Sequence, residues 1–179
     1  FGSDVQDAFF VDSALTYSGT STSSLSGLEH LEGQAVSILE EGSAHPDKTV
    51  SSGAISMDRS TTKAHVGLAY TSTLKTVRLE SGSASATAQA KIKKIHSVTV
   101  RFFRTVGASV GTSISNVDVI PFRDSSDNTD NAVPLFTGDK TIESASSWDT
   151  EGSIVVRQTQ PLPMTIVGIY PRVVIQDFS

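Results

Sequence analysis

The 179-residue chain carries a formal net charge of −5 and contains no cysteine. That length allows one compact domain or two small ones, and the lack of cysteine excludes disulfides, thiolate metal sites and a cysteine nucleophile. The chain as a whole lacks a basic footprint, so we expect no specific nucleic-acid recognition. No apolar run approaches the ~20 residues that span a bilayer, so we expect no membrane span. The first residue is Phe1 rather than Met, which indicates a processed or partial chain of a larger protein.

The composition predicts an all-β fold with little helix. The chain has 18 Val, 11 Ile and 19 Thr against only 10 Leu, and β-branched side chains fit a pleated surface better than a helix. Its 28 Ser and 13 Gly lie mostly between the apolar runs. Many short, mostly antiparallel strands joined by polar turns follow from this pattern.

The first half is predicted to be a meander of hairpins at intervals of about ten residues. The Gly-bounded turn at 27–33 should point Leu28 and Leu31 inward, and the Ser/Thr-rich run up to Ser26 should be a second short strand or a loop. Residues 1–80 are therefore expected to form a small, barrel-like N-terminal subdomain. Its strands are expected at 9–17, 35–39, 48–50, 54–57, 64–70 and 74–79.

Residues 81–90 are nearly all small, so they can bury little apolar area and are predicted to be a linker or a long loop. Residues 91–179 should then form a second subdomain that resembles a β-sandwich. In the strand 97–104, the period of two places Val98, Val100 and Phe102 on one face. The prolines at 161, 163 and 171 make the last strand an expected edge. The later strands are expected at 116–122, 141–144, 153–159 and 165–175.

No residue pattern predicts catalysis or a cofactor. The four histidines lack metal-site spacing, and the favoured interpretation is separate surface or structural histidines, with His30 making a cap or loop contact. No G-x-S-x-G elbow accompanies the serines, and Glu40 and Glu41 are adjacent, so their carboxylates should diverge. We therefore predict a protein that is not an enzyme and holds no cofactor.

The segment 124–131 is rich in side-chain oxygens, which calcium prefers. It lacks the central glycine and the closing glutamate of an EF-hand loop, so a solvated loop between two strands is the favoured interpretation. The same loop, extended to 133, is an example of the loops that could contact a host-surface carbohydrate.

Five cationic residues lie within 14 positions, at Lys91, Lys93, Lys94, Arg101 and Arg104. They form a possible subunit-contact patch, which could meet phosphates or an acidic neighbouring subunit. The favoured alternative is that these charges guard the start of a strand against edge pairing.

Several motifs, in consistent order over most of residues 9–178, resemble the C-terminal region of a family of bacteriophage and prophage tail structural proteins. The family is of the tail-tube or nozzle type found in short-tailed phages. The motifs that carry the resemblance are residues 27–36, 65–70, 76–80, 94–102 and 134–141, followed by Trp148-Asp149 and residues 160–164.

The resemblance implies a ring-forming virion component that surrounds the path of exiting DNA. Its expected partners are other copies of itself and other tail proteins, and its expected location is the virion tail after synthesis in the bacterial cytoplasm. A net acidic chain suits such a channel, because it does not hold phosphates by ion pairing. The alternative is a receptor- or carbohydrate-binding module of a tail protein that meets a host-surface glycan.

Overall fold

The structure is a computed structural model that describes residues 4–80, 87–88, 91–143, 146 and 148–176. Its described residues form three antiparallel sheets, with 3₁₀ turns at Val5–Asp7 and Glu29–Leu31 and no α-helix, which confirms the all-β prediction. The strands are β1 Asp12–Ser26, β2 Ala35–Glu40, β3 Ser43–Thr49, β4 Ala54–Leu68, β5 Ser72–Lys75, β6 Ile92–Thr105, β7 Ser109–Ser113, β8 Asn116–Val119, β9 Phe136–Glu143, β10 Val155–Gln158 and β11 Ile166–Gln176.

The first sheet has the order β1-β4-β2-β3 and a core of its own. The predicted strand 9–17 is the start of a longer strand, because β1 continues through its Ser/Thr-rich half and pairs with β4 as far as Ser26↔Ala54. Leu28 precedes the second 3₁₀ turn, Leu31 is its last residue, and both are buried as predicted. Their partners in this core include Val36, Ile38, Ile55 and Val66.

The predicted barrel shape of the N-terminal subdomain is wrong, because none of the three sheets closes into a barrel. β1 and β3 are the two ends of the first sheet and are not paired with each other. Register shifts at Ser18/Thr22 and Thr22/Ser24 interrupt the long β1–β4 pair. Such irregularities bend and twist a strand without requiring closure.

The other two sheets pack face to face as a sandwich. One has the order β5-β10-β7-β8 and the other β11-β6-β9. Val98, Val100 and Phe102 of β6 share one core with Val110 of β7 and Val156 of β10. The predicted common face of Val98, Val100 and Phe102 is therefore confirmed.

β5 precedes residue 80 but pairs with β10, so it contributes to the sandwich rather than to the first sheet. The division into 1–80 and 91–179 stays a prediction. Of the predicted linker 81–90, only Thr87 and Ala88 lie among the described residues.

A smaller apolar cluster joins the first sheet to the sandwich. Leu39 of β2 is fully buried there against Val106 and Leu162, which belong to loops of the second half. Val5 and Phe9 of the N-terminal segment pack on the same cluster. Because Ile38 faces the first core and Leu39 faces the junction, both faces of β2 are buried.

β11 lies at the edge of its sheet, which confirms the expectation drawn from its prolines. β6 lies at the centre of the same sheet, between β11 and β9. Among the described residues, β9 pairs with β6 only from Ser97 onward, and the start of β6 has just the single bridge Lys93↔Asp149 on that side. The interpretation that the lysines guard the start of the strand against edge pairing stays a prediction.

Candidate interaction surface

A β-bulge in β6 decides where the predicted cationic patch lies. Ser97 pairs with Arg172 and Ile95 pairs with Val173, so His96 is the extra residue in β6. A one-residue insertion inverts the alternation of side chains beyond it. Lys93 therefore shares the inner face with Val98 and Val100, although plain alternation from those residues places it outside.

The structure does not bring the five cations together. Lys93 is buried with only 1% of its surface exposed, while Lys94 lies on the opposite face beside Val174. Lys91 precedes β6, and Arg104 lies near its far end with φ 47°, where a second bulge interrupts the pairing with β9. At about 3.3 Å per residue, Lys94 and Arg101 are about 20 Å apart along the strand. The role of the exposed cations in subunit contact stays a prediction.

Arg101 is the centre of an ordered polar contact on the outer side of β6. Its Nε and Nη2 donate to the two carboxylate oxygens of Asp139 on β9 at 2.8 and 2.9 Å. The guanidinium also lies 5.4 Å from the ring centroid of Tyr170 on β11. The hydrogen bonds from Arg101 lower the pKa of Asp139, and the pair raises the pKa of Arg101. One side chain thus links all three strands of the sheet.

Four large apolar side chains of β6 and β11 are exposed on the solvent side of the β11-β6-β9 sheet. Three of them lie near the Arg101–Asp139 pair and the hydrogen-bonded pair Thr99–Thr141, and Val174 lies farther along β11, opposite Lys94. We call this surface the outer face. Its exposed apolar residues, with their exposed fractions, are Phe103 (47%), Val167 (62%), Tyr170 (51%) and Val174 (50%).

The side chain of Arg123, which precedes the loop 124–131, holds the backbone of this loop in place. Arg123 Nη1 donates to the Asn128 carbonyl at 2.6 Å, and its Nη2 donates to the Asn131 carbonyl at 2.9 Å. Asp127 accepts from the backbone of Asp124, which closes the turn. The described residues contain no group of three or more His, Cys, Asp or Glu arranged to hold a metal ion. Arg123 therefore holds two backbone carbonyls of this loop.

The histidines make separate contacts. His30 Nε2 lies 3.1 Å from the carbonyl of Ser13, which belongs to β1. His45 contacts the Pro46 carbonyl and the Asp58 carboxylate. His65 is buried, stacks on Phe9 at 4.0 Å, and its pKa is lowered by burial. Each of these three rings thus has a structural role.

Glu40 and Glu41 diverge as predicted. Glu40 is buried and accepts from Arg59 Nε at 3.0 Å, while its Oε2 has no hydrogen-bond partner. Glu41 accepts from Thr61, Thr62 and the backbone of Lys63, and these bonds lower its pKa. The two carboxylates have separate partners, so their arrangement gives no acid–base pair.

Sequence reasoning missed two features of this region. A bulge at His96 has no glycine to signal it, so the inward position of Lys93 could not be seen. The outer face was hidden because Tyr170 and Phe103 lie in strands, where burial is the default expectation. The prolines of the last strand were the sequence signal that this strand lies at the edge of its sheet.

No protein-family model matches the chain, and no curated protein matches it. The fold therefore defines the class, which is an all-β protein with a packed sandwich. Among the residues that the structure describes, no helix has the length and apolarity needed to cross a bilayer.

Proposed function

We propose that the chain is a structural module of a phage tail, without enzymatic activity, that assembles with copies of itself and with other tail proteins around the DNA exit path. It is made in the bacterial cytoplasm and becomes part of the virion. The resemblance of its motifs to tail structural proteins supports the phage assignment. The outer face supports a function in assembly.

The single observation that carries the proposal is the exposed apolar set of the outer face. Soluble proteins seldom expose clustered large apolar side chains unless the surface is an interaction site. Tyr170 supplies a rigid aromatic group with a polar tip, and the Arg101 guanidinium is already held in place by Asp139. Tyrosine and arginine are the residues that most often dominate binding energy at protein interfaces.

The test is a single substitution in the full-length parent protein. Tyr170→Glu places a charge at the centre of the outer face, so we expect assemblies to shift to free subunits in sedimentation velocity. Val119→Glu is the matched control, because Val119 is 79% exposed on β8 of the other sheet. Assembly unchanged by Tyr170→Glu, or lost equally in both variants, would count against the outer face.

The carbohydrate-binding alternative makes a different prediction. Its candidate loop 124–133 contains no aromatic residue, and Arg123 already occupies two of its carbonyls. Specific binding on a glycan array, lost when the loop is replaced by a short Gly-Ser turn, would favour the alternative over assembly.

A further inference from the structure

Lys93 is one of the largest fully buried side chains among the described residues. Among the described residues its ammonium has one hydrogen-bond acceptor, the Thr150 carbonyl, at the long distance of 3.4 Å. An ammonium has three donors, and the structure places no carboxylate oxygen of a described residue within 4.0 Å of Lys93 Nζ. With respect to the described residues, the group is therefore buried with most of its hydrogen-bonding capacity unused.

Such an arrangement is costly for a charged group. Burial of an unpaired ammonium costs several kcal/mol even after relaxation, so proteins pair buried charges or keep them neutral. A bound anion supplies both the missing charge and the missing acceptors. Lys93 thus has a physical need for a counter-ion that the described side chains do not meet.

A polar cavity lies beside Lys93. Its volume is about 40 Å³, and it is lined by Lys93 together with Thr112, Ser146, Asp149 and Ser153. One water takes up roughly 10–15 Å³ of such cavity volume, so the cavity holds about three water-sized groups. That space fits a carboxylate or a small inorganic oxyanion and excludes a sugar or a nucleotide.

The backbone around the cavity is shaped to admit the lysine. Lys93 and Asp149 exchange two backbone hydrogen bonds of 2.8 Å, which fix the segment that carries Thr150 over the side chain. Gly152 has φ +54°, and a Cβ there would lie 2.9 Å from Lys93 Cδ. Glycine at 152 therefore leaves room for the lysine stem in the interior.

We propose that this niche, formed by Lys93, Thr112 and Ser153, binds a small oxyanion. The ammonium of Lys93 donates to it, and the hydroxyls of Thr112 and Ser153 are the additional donors. Ser146 already donates its hydroxyl to the Ile95 carbonyl at 2.6 Å and contributes only to the wall. The site is independent of the proposed assembly function, because it lies on the inner side of β6.

Asp149 gives the proposal a sharp discriminating variant. It lines the cavity and is exposed. If an anion binds Lys93, Asp149 repels that anion and Asp149→Asn should tighten binding severalfold. If Asp149 instead turns inward to neutralise Lys93, the same substitution should weaken the fold and leave anion affinity unchanged or lower.

The experiment titrates acetate and, separately, phosphate into the full chain, with chloride at equal ionic strength as the reference. We expect a saturable rise of the melting temperature, about 5–10 °C at a hundredfold excess over Kd, with NMR shifts at the amides of Gly152 and Ser153. The ion with the lower Kd identifies the source, either a carboxylate or an inorganic oxyanion.

Lys93→Met is the matched control, because an apolar residue of similar length can replace a buried ion without loss of stability. The proposal requires that this variant stay folded at low salt and lose the saturable response to both ions. If wild-type protein shows no saturable response, or if Lys93→Met keeps it, the oxyanion site does not exist. If Lys93→Met fails to fold, the NMR titrations of the wild type and of Asp149→Asn decide whether the oxyanion site exists: it requires a saturable response in the wild type and tighter binding in Asp149→Asn.

Discussion

Leu39→Ala tests whether the first sheet and the sandwich are joined as one cooperative unit. Leu39 is 0% exposed and packs against Val106 and Leu162 across the junction. Removing three carbons forfeits about 2.4 kcal/mol of transfer free energy, and the cavity left behind raises the expected loss of unfolding free energy to about 2–5 kcal/mol. Urea denaturation monitored by circular dichroism and by Trp148 fluorescence measures it.

The two probes distinguish coupled from separate unfolding. Trp148 is the single tryptophan and lies in the second half of the chain, so its transition should move with the circular dichroism transition if the halves are coupled. Leu74→Ala is the control, because Leu74 is 39% exposed on the edge strand β5 and should lose less than about 1 kcal/mol. A loss below about 0.5 kcal/mol for Leu39→Ala, or an unmoved Trp148 midpoint, would refute the packed junction.

Three further changes have expected outcomes. Burial lowers the pKa of His65, so the neutral ring stabilises the fold fully above pH ~6.5, and this stability is lost as the pH falls toward the lowered pKa. In urea titrations, His65→Gln should flatten this dependence of the unfolding free energy on pH, with Lys63 and Asp7 unchanged nearby. Arg59→Gln leaves the buried Glu40 without its cation, and because Arg59 is 67% exposed the expected loss of unfolding free energy in urea titration is about 1–3 kcal/mol. Pro171→Val restores a backbone donor on the edge strand β11 and should increase self-association in light scattering.

A specific result would contradict each of these three predictions. An unchanged slope of stability against pH in His65→Gln would mean that the stacked ring does not control it. Arg59→Gln with wild-type stability would mean that Glu40 does not depend on the pair, and a monodisperse Pro171→Val variant would show that this edge needs no proline.

The fold class could be predicted from the sequence alone because the fold class depends on the average composition of the chain. β-branched residues are spread over the whole chain, so a local error at one strand changes little. The edge position of β11 was also predictable, since Pro171 removes a backbone donor wherever the strand lies. The turn at 27–33 was identified because its glycines and its inward Leu28 and Leu31 obey local rules.

Features set by tertiary pairing were not predictable. β1 runs through Gly19 and a serine-rich segment because β4 pairs with it along almost its whole length, and no local signal extends that strand. The bulge at His96 reverses the side of Lys93 by one residue. The bulge takes Lys93 off the face that carries Arg101, because a strand pattern without its register assigns faces wrongly beyond an insertion. The patch as a subunit contact stays a prediction.

The most direct test of the proposed function is the native mass of the full-length parent protein purified under conditions that keep assemblies intact. The account predicts one closed oligomer, because subunits that contact each other head to tail must close to avoid filaments, and it predicts that Tyr170→Glu dissociates this oligomer. A parent protein that is monomeric at micromolar concentration, with or without the substitution, would contradict it.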